Sequence, residues 1–297
     1  MSEPREIRQG TTYLLTRRCF QRTFLLRPSA LVNQVFLYCL AEAADRFGVL
    51  VHAFCAMTNH YHVVATDVRG QLPEFMHWLN EFVAKCLNTH YGRDESLWAP
   101  GSYSAVELVD ENDILAKVVY TLQNPVAAGL VGASVAWPGA ISRAEEMLGG
   151  TYTVSRPTVF FSKRSTLPAS KTLVLTPPPN VDAQRFVANA TELLKIVERQ
   201  HRENAAANGL SFLGKKRILA QRSTDAPKTK PARSKIKPTV ACKDKWRRIE
   251  ALQRRRAFRQ AYREAWQRYK DKESGVVFPH GTYWMVNVAN RPCATAD

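Results

Sequence analysis

Two β-forming runs, "VLVHAFCAM" (49–57) and "HYHVVAT" (60–66), stand only two polar residues apart, at Thr58-Asn59. So short a gap admits a tight turn and nothing longer, which predicts an antiparallel hairpin. The first run is nearly continuous in apolar residues, as a strand covered on both faces must be. On either side of the hairpin the apolar period becomes helical. Upstream, after the β-rich "TTYLLTRRC" (11–19), Leu31, Val32, Val35, Phe36, Cys39, Leu40 and Ala43 recur at helical spacing between Pro28 and Arg46. Downstream, Leu72, Phe75, Met76, Leu79, Phe82, Val83, Cys86 and Leu87 form one apolar stripe. "SYSAVELVD" (102–110) supplies a fourth strand. Strand, helix, strand, strand, helix, strand is the split βαβ, or ferredoxin-like, order: an α+β fold with an antiparallel sheet. Asp110 is a plausible N-cap for an additional helix from about Glu111 to Gln123, ended by Asn124-Pro125.

The chain has 297 residues, more than one compact domain usually needs. Its charge divides it. Residues 1–150 carry 12 Lys and Arg against 15 Asp and Glu, whereas residues 151–297 carry 30 against 11. The near-neutral α+β unit therefore spans 1–150. An extension over 151–221 is proline-rich near 169–181 and then helical from Asp182 to about Asn208. Residues 222–240 have the composition of a flexible basic linker, and 241–297 form a basic helical segment whose long helix lies within 242–273. Such asymmetry suggests a polyanion partner, because Lys and Arg that neutralise phosphates release condensed counterions. A basic tail kept for solubility is the alternative. In the long helix Phe258, Tyr262, Trp266 and Tyr269 share a face, more often a packing face than a base-stacking one. Arg254, Arg255, Arg256 and Arg259 are better nucleic-acid candidates.

The six cysteines show no metal-ligand spacing, no secretory h-region is visible, and no apolar run reaches the length of a membrane span. A soluble, cytoplasmic protein with reduced thiols is the expectation.

The chemistry centres on His60-Tyr61-His62. In a strand, residues i and i+2 share a face, so both imidazoles project together and Tyr61 points away. Two neutral imidazole nitrogens so placed can grip one divalent cation, or the pair can be hydrogen-bonded residues at a strand edge. In the later helix Ile114, Leu115, Val118, Val119 and Leu122 form the apolar side. Asp113, Lys117, Tyr120 and Asn124 fall at steps of four, three and four on the opposite side. Tyr120 is either a surface ring or a nucleophile, because a tyrosine hydroxyl near a divalent cation can attack a phosphodiester.

At this point "AMTNHYHVVAT" (56–66) resembles the M-x-N-H-x-H-hydrophobic motif of the HUH single-tyrosine transposases. "YTLQNPVAAGLV" (120–131) resembles the Tyr-x-x-x-Asn-Pro-Val-x-Ala-Gly-Leu-Val segment of their REP-associated branch, and "WPGAIS" (137–142) its continuation. The resemblance covers about residues 10–145. It implies His60 and His62 as metal ligands, and Tyr120 as a nucleophile that cuts single-stranded DNA and keeps the 5′-phosphate as a phosphotyrosine. Asn124 takes the place of a further polar ligand, with Gln123 as the neighbouring alternative. The implied cation is Mg²⁺ or Mn²⁺, hard ions suited to imidazole and amide oxygen in a site without cysteine. The implied partners are single-stranded hairpins of repetitive extragenic elements, with no membrane, and relatives occur as homodimers and as monomers. Arg17, Arg18 and Arg22 after the first strand, with Lys117, are candidates for tracking the DNA backbone. One segment departs from the pattern: "LWAPGSYS" (97–104) lacks the arginine that many relatives carry there. The rival to a transposase is a non-catalytic DNA- or RNA-binding regulator on the same scaffold.

Overall fold

The computed structural model describes residues 4–229 and 238–295. Its central sheet has the order β2-β3-β1-β4-β7, formed by β1 (Thr11–Arg18), β2 (Val49–Ala56), β3 (His60–Asp67), β4 (Ser104–Leu108) and β7 (Val240–Ala241). The first four strands are antiparallel neighbours in the ferredoxin-like order. Thr58-Asn59 makes the turn of the β2–β3 hairpin, closed by Met57 N–H donating to His60 O at 2.8 Å.

The pleat of β3 sorts the core. Tyr61, Val63 and Ala65 face α1 (Ala30–Phe47) and α2 (Leu72–Tyr91), whose apolar stripes build the larger cluster. Val64 faces the other layer, where α3 (Glu111–Ala127) packs with Ile114, Val118 and Leu122 beneath α4 (Ala183–Ala207). Each fully buried large apolar side chain contributes about 1.5–3 kcal/mol, so the two clusters hold the helices firmly to the sheet.

Three differences from the sequence expectations matter for the site. First, α3 does not stop at Asn124-Pro125 but runs to Ala127 with Pro125 inside it. A proline this late removes one backbone bond near the end of the helix, and the Pro125 carbonyl still accepts from Leu130 N–H at 3.0 Å. Asn124 is therefore in helical register, one turn beyond Tyr120. Second, Asp113 is not on an open polar stripe. It is 3% exposed, and its Oδ1 accepts from Lys243 N–H at 2.8 Å. Third, the extension holds an antiparallel hairpin, β5 (Thr151–Ser155) with β6 (Ser170–Val174), which packs on α1 and adds Leu173 to the larger cluster.

The β2 edge of the sheet is covered, and β7 covers the Glu107–Leu108 end of β4. Along β2, Ala56 N–H donates to Ala140 O at 2.8 Å, Ser142 N–H to Phe54 O at 3.0 Å and Thr176 N–H to Val51 O at 3.2 Å. Beyond β4 lies β7, parallel to it, after which α6 (Lys245–Lys270) follows; the short α5 (Lys215–Leu219) precedes both. Covered edges deny pairing to foreign strands. Of the stretch 222–240 expected as a flexible basic linker, residues 230–237 lie outside the described residues.

The aromatic face of α6 is a packing face. Tyr262, Trp266 and Tyr269 close on Val276, Phe278 and Met285. No helix among the described residues is long and apolar enough to cross a membrane.

Candidate active site

His60 and His62 project together from the start of β3, ring centroids 4.9 Å apart and nearly perpendicular. Their strand places them at the end of the sheet where β1 closes, since Thr16 pairs with His62 and Arg18 with His60. Thr16 Oγ1 lies 2.7 Å from His62 Nδ1, and Asn59 Oδ1 lies 2.7 Å from His60 Nδ1. Both Nδ1 atoms are thus engaged within the protein.

His62 is buried and His60 half-buried. Burial, reinforced by the nearby Arg18 and Arg22 charges, pushes His60 down to about 4. Burial, with His60 and Lys117 adding to it, pushes His62 down to about 3. Both imidazoles are consequently neutral near pH 7, the form that has a lone pair to offer a cation.

The ring of Tyr120 meets His62 edge-on, centroids 5.2 Å apart. The cause is the docking of α3: Val118 and Leu122 are buried against the sheet, which turns Tyr120 along the helix flank toward β3. Tyr120 is 39% exposed, so it is accessible to a large substrate. Lys117, one turn earlier, sets Nζ 5.4 Å from the centre of the same ring. Asn124, one turn later, is half-buried, and its side-chain amide has no hydrogen bond among the described residues. Gln123 is committed elsewhere, its Oε1 lying 3.2 Å from His201 Nε2 on α4. His201 was not singled out from the sequence, because nothing local ties it to α3.

The basic candidates separate. Arg18 is exposed beside His60. Arg22 donates to Thr229 O at 2.5 Å. Arg17 points to the opposite face of β1, donates to Gly101 O at 2.7 Å and lies over the Trp98 ring at 6.0 Å. On α6, Arg254 donates to both oxygens of Glu107 at 2.7 and 2.8 Å and to Glu6 at 3.1 Å, and Arg255 donates to Glu107 at 3.3 Å. Arg256 is exposed, and Arg259 Nε donates to Arg255 O at 3.4 Å. Helix α6 meets β4 at its Glu107 end, whereas Ser104 pairs with Thr16, beside His62, at the other end. The basic helix is therefore set back from the histidines.

A second cluster, Asp110, Asp113 and Cys242, brings its ligand atoms within 4.8 Å of one another at the start of α3. One oxygen of each carboxylate is used within the protein, while Asp113 Oδ2 is buried without a hydrogen-bond partner among the described residues. Asp110 accepts from Asp113 N–H at 2.9 Å as the N-cap, and Asp113 accepts from Lys243 N–H. The helix N-terminus and Arg247, 3.6 Å from Asp110, already supply the positive charge there. His52, in the buried strand β2, is a core histidine bonded to Thr176 O and Thr66 Oγ1, each at 2.8 Å.

Comparison with known proteins gives one family. Residues 11–116 match the family model described as Transposase IS200 like, a span that includes both histidines and ends before Tyr120. Among curated proteins there is no match. Among solved structures the chain is similar to a REP-associated tyrosine transposase bound to a REP hairpin. That likeness has 17% identity and a TM-score of 0.42, over 58% of this chain and 98% of that one. It is also similar to a candidate transposase from Deinococcus radiodurans R1, with 18% identity and a TM-score of 0.30, over 42% and 97%. Likeness at that level carries no assignment by itself. The similarity to the IS200-like transposase family therefore rests on residues 11–116, the span that holds the paired histidines of β3.

Proposed function

We propose that the protein is a divalent-metal-dependent endonuclease and strand transferase acting on single-stranded hairpin DNA of repetitive extragenic elements, with Tyr120 as nucleophile. The observation that carries this reading is the contact of Tyr120 with His62 of its own chain, with the Lys117 ammonium beside the same ring. It supports a site complete within one chain.

The residues fit a hard cation. With both Nδ1 atoms engaged, His60 and His62 have Nε2 left for ligation, and the unpartnered Asn124 amide oxygen is the third candidate; Gln123 is less suited because His201 holds it. A bound Mg²⁺ or Mn²⁺ would polarise the scissile phosphate and offset the charge that develops on it. The chain's own groups do the rest. Tyr120 Oη attacks phosphorus, the Oη–P bond forms, and the P–O3′ bond breaks. The phenolic proton is lost and the leaving oxygen takes one up, giving a 5′-phosphotyrosine and a free 3′-hydroxyl. Attack of a 3′-hydroxyl on that phosphotyrosine reverses the sequence and joins strands. Lys117, beside the Tyr120 ring, and the exposed Arg18 would hold phosphates next to the reacting one, and the exposed Arg256 would meet the backbone of a DNA arm farther along.

Incubation of the full chain with a single-stranded extragenic hairpin and Mn²⁺ should yield a covalent protein–DNA band, absent for Tyr120→Phe although that variant still binds the oligonucleotide. Binding by the wild-type protein with no covalent band under these conditions would replace the enzyme with the regulator.

A further inference from the structure

We infer that Asn59, oriented by the backbone carbonyl of Arg22, is a positioning residue that holds His60 in the tautomer with its proton on Nδ1, leaving the Nε2 lone pair for a divalent cation. This rests on the metal site proposed above, but the tautomer itself follows from hydrogen bonds within the protein.

Asn59 is 8% exposed, and its Nδ2 donates to Arg22 O at 3.0 Å. The opposite amide orientation would set Oδ1 against that carbonyl, two acceptors facing each other. The orientation is thereby settled by chemistry. Oδ1 then faces His60 Nδ1 at 2.7 Å and can only accept, so Nδ1 must donate. A neutral imidazole carries one N–H, and Nε2 is left bare. Thr16 has no such effect on His62, because a hydroxyl can donate or accept.

The carbonyl of Arg22 is itself held at a conformational cost. Gln21 and Arg22 adopt φ of 48° and 61°, left-handed conformations that cost non-glycine residues about 1–2 kcal/mol each. Cys19 N–H donating to Asn59 O at 2.8 Å and Leu26 N–H donating to Thr58 O at 2.9 Å fasten this segment to the β2–β3 turn. The turn and the segment after β1 thus orient one ligand jointly. Partners of this kind behind a metal-bound histidine typically contribute about 10–100-fold in affinity.

The test uses full-length, ¹⁵N-labelled, metal-free protein at pH 8. Ring nitrogen spectra should show His60 protonated at Nδ1 and bare at Nε2. Asn59→Ala should give a tautomer mixture and weaken Mn²⁺ binding, measured by calorimetry, by about 10–100-fold. Asn59→Asp loses the donor to Arg22 O but keeps an oxygen that can only accept from Nδ1, and should give the Nδ1–H form. Wild-type His60 protonated at Nε2 would overturn the inference. So would a folded Asn59→Ala protein with unchanged spectra and Mn²⁺ affinity or, should that variant not fold, an Asn59→Asp protein protonated at Nε2. A wild-type protein with the Nδ1–H form that takes up no Mn²⁺ would instead sink the proposed metal site and leave the tautomer standing.

Discussion

Glu107 joins the basic C-terminal helix to the sheet, and neutralising it gives a stability effect of calculable size. Its carboxylate is 4% exposed and accepts from Arg8 at 2.8 Å, from Arg254 at 2.7 and 2.8 Å and from Arg255 at 3.3 Å. Glu107→Gln keeps the shape and removes the charge, leaving three guanidinium groups around a neutral amide. Breaking a buried pair in this way costs about 3–5 kcal/mol. Arg8 and Arg254 retain 34% and 33% side-chain exposure and recover some hydration, which favours the lower end, about 3 kcal/mol. At about 2–4 °C per kcal/mol for a protein approaching this size, the unfolding midpoint should fall by roughly 6–12 °C. Calorimetry of the wild-type protein, Glu107→Gln, Arg254→Gln and the double variant closes a cycle, in which the coupling should exceed about 1 kcal/mol. A midpoint shift below about 2 °C together with zero coupling would refute the claim that this cluster fastens α6 to β4.

Three further effects follow from other contacts. His52 is pushed by complete burial from its ordinary 6.5 down to about 4. Its neutral form therefore contributes fully above pH 6.5, and the contribution is lost as pH falls toward 4, by about 3 kcal/mol in all. Unfolding free energies across that range should be less pH-dependent in His52→Asn, and an identical slope would exclude the effect. A Cβ on Gly139 would lie 2.4 Å from Trp137 Nε1 and 2.9 Å from Ala56 O, so Gly139→Ala should lose about 1–3 kcal/mol in urea unfolding; an unchanged midpoint would show that the segment shifts freely. Asp110→Ala removes the N-cap of the helix that carries Tyr120 and should cost about 1 kcal/mol, read as a lowered thermal midpoint.

The order of the first four strands and their helices was legible because each element announces itself locally. β-formers run together in β2 and β3, apolar residues recur every three or four positions in α1 and α2, and Thr58-Asn59 leaves room only for a turn. The same local rules put His60 and His62 on one face, and Tyr120 and Asn124 one helical turn apart. They misjudged Pro125, because a proline reads as a stop unless its place in the final turn is known, and Asp113, whose cover comes from residues far along the chain.

Everything that joins elements distant in sequence was decided by tertiary structure. No spacing announces that Tyr120 meets His62, that His201 takes Gln123, or that the Arg22 carbonyl turns Asn59 toward His60. Nor does composition distinguish Arg254, paired with Glu107, from the exposed Arg256 two residues later. Periodicity determines which way a side chain faces within its own strand or helix. What it faces depends on how the apolar stripes of separate elements pack, and that is a property of the whole chain.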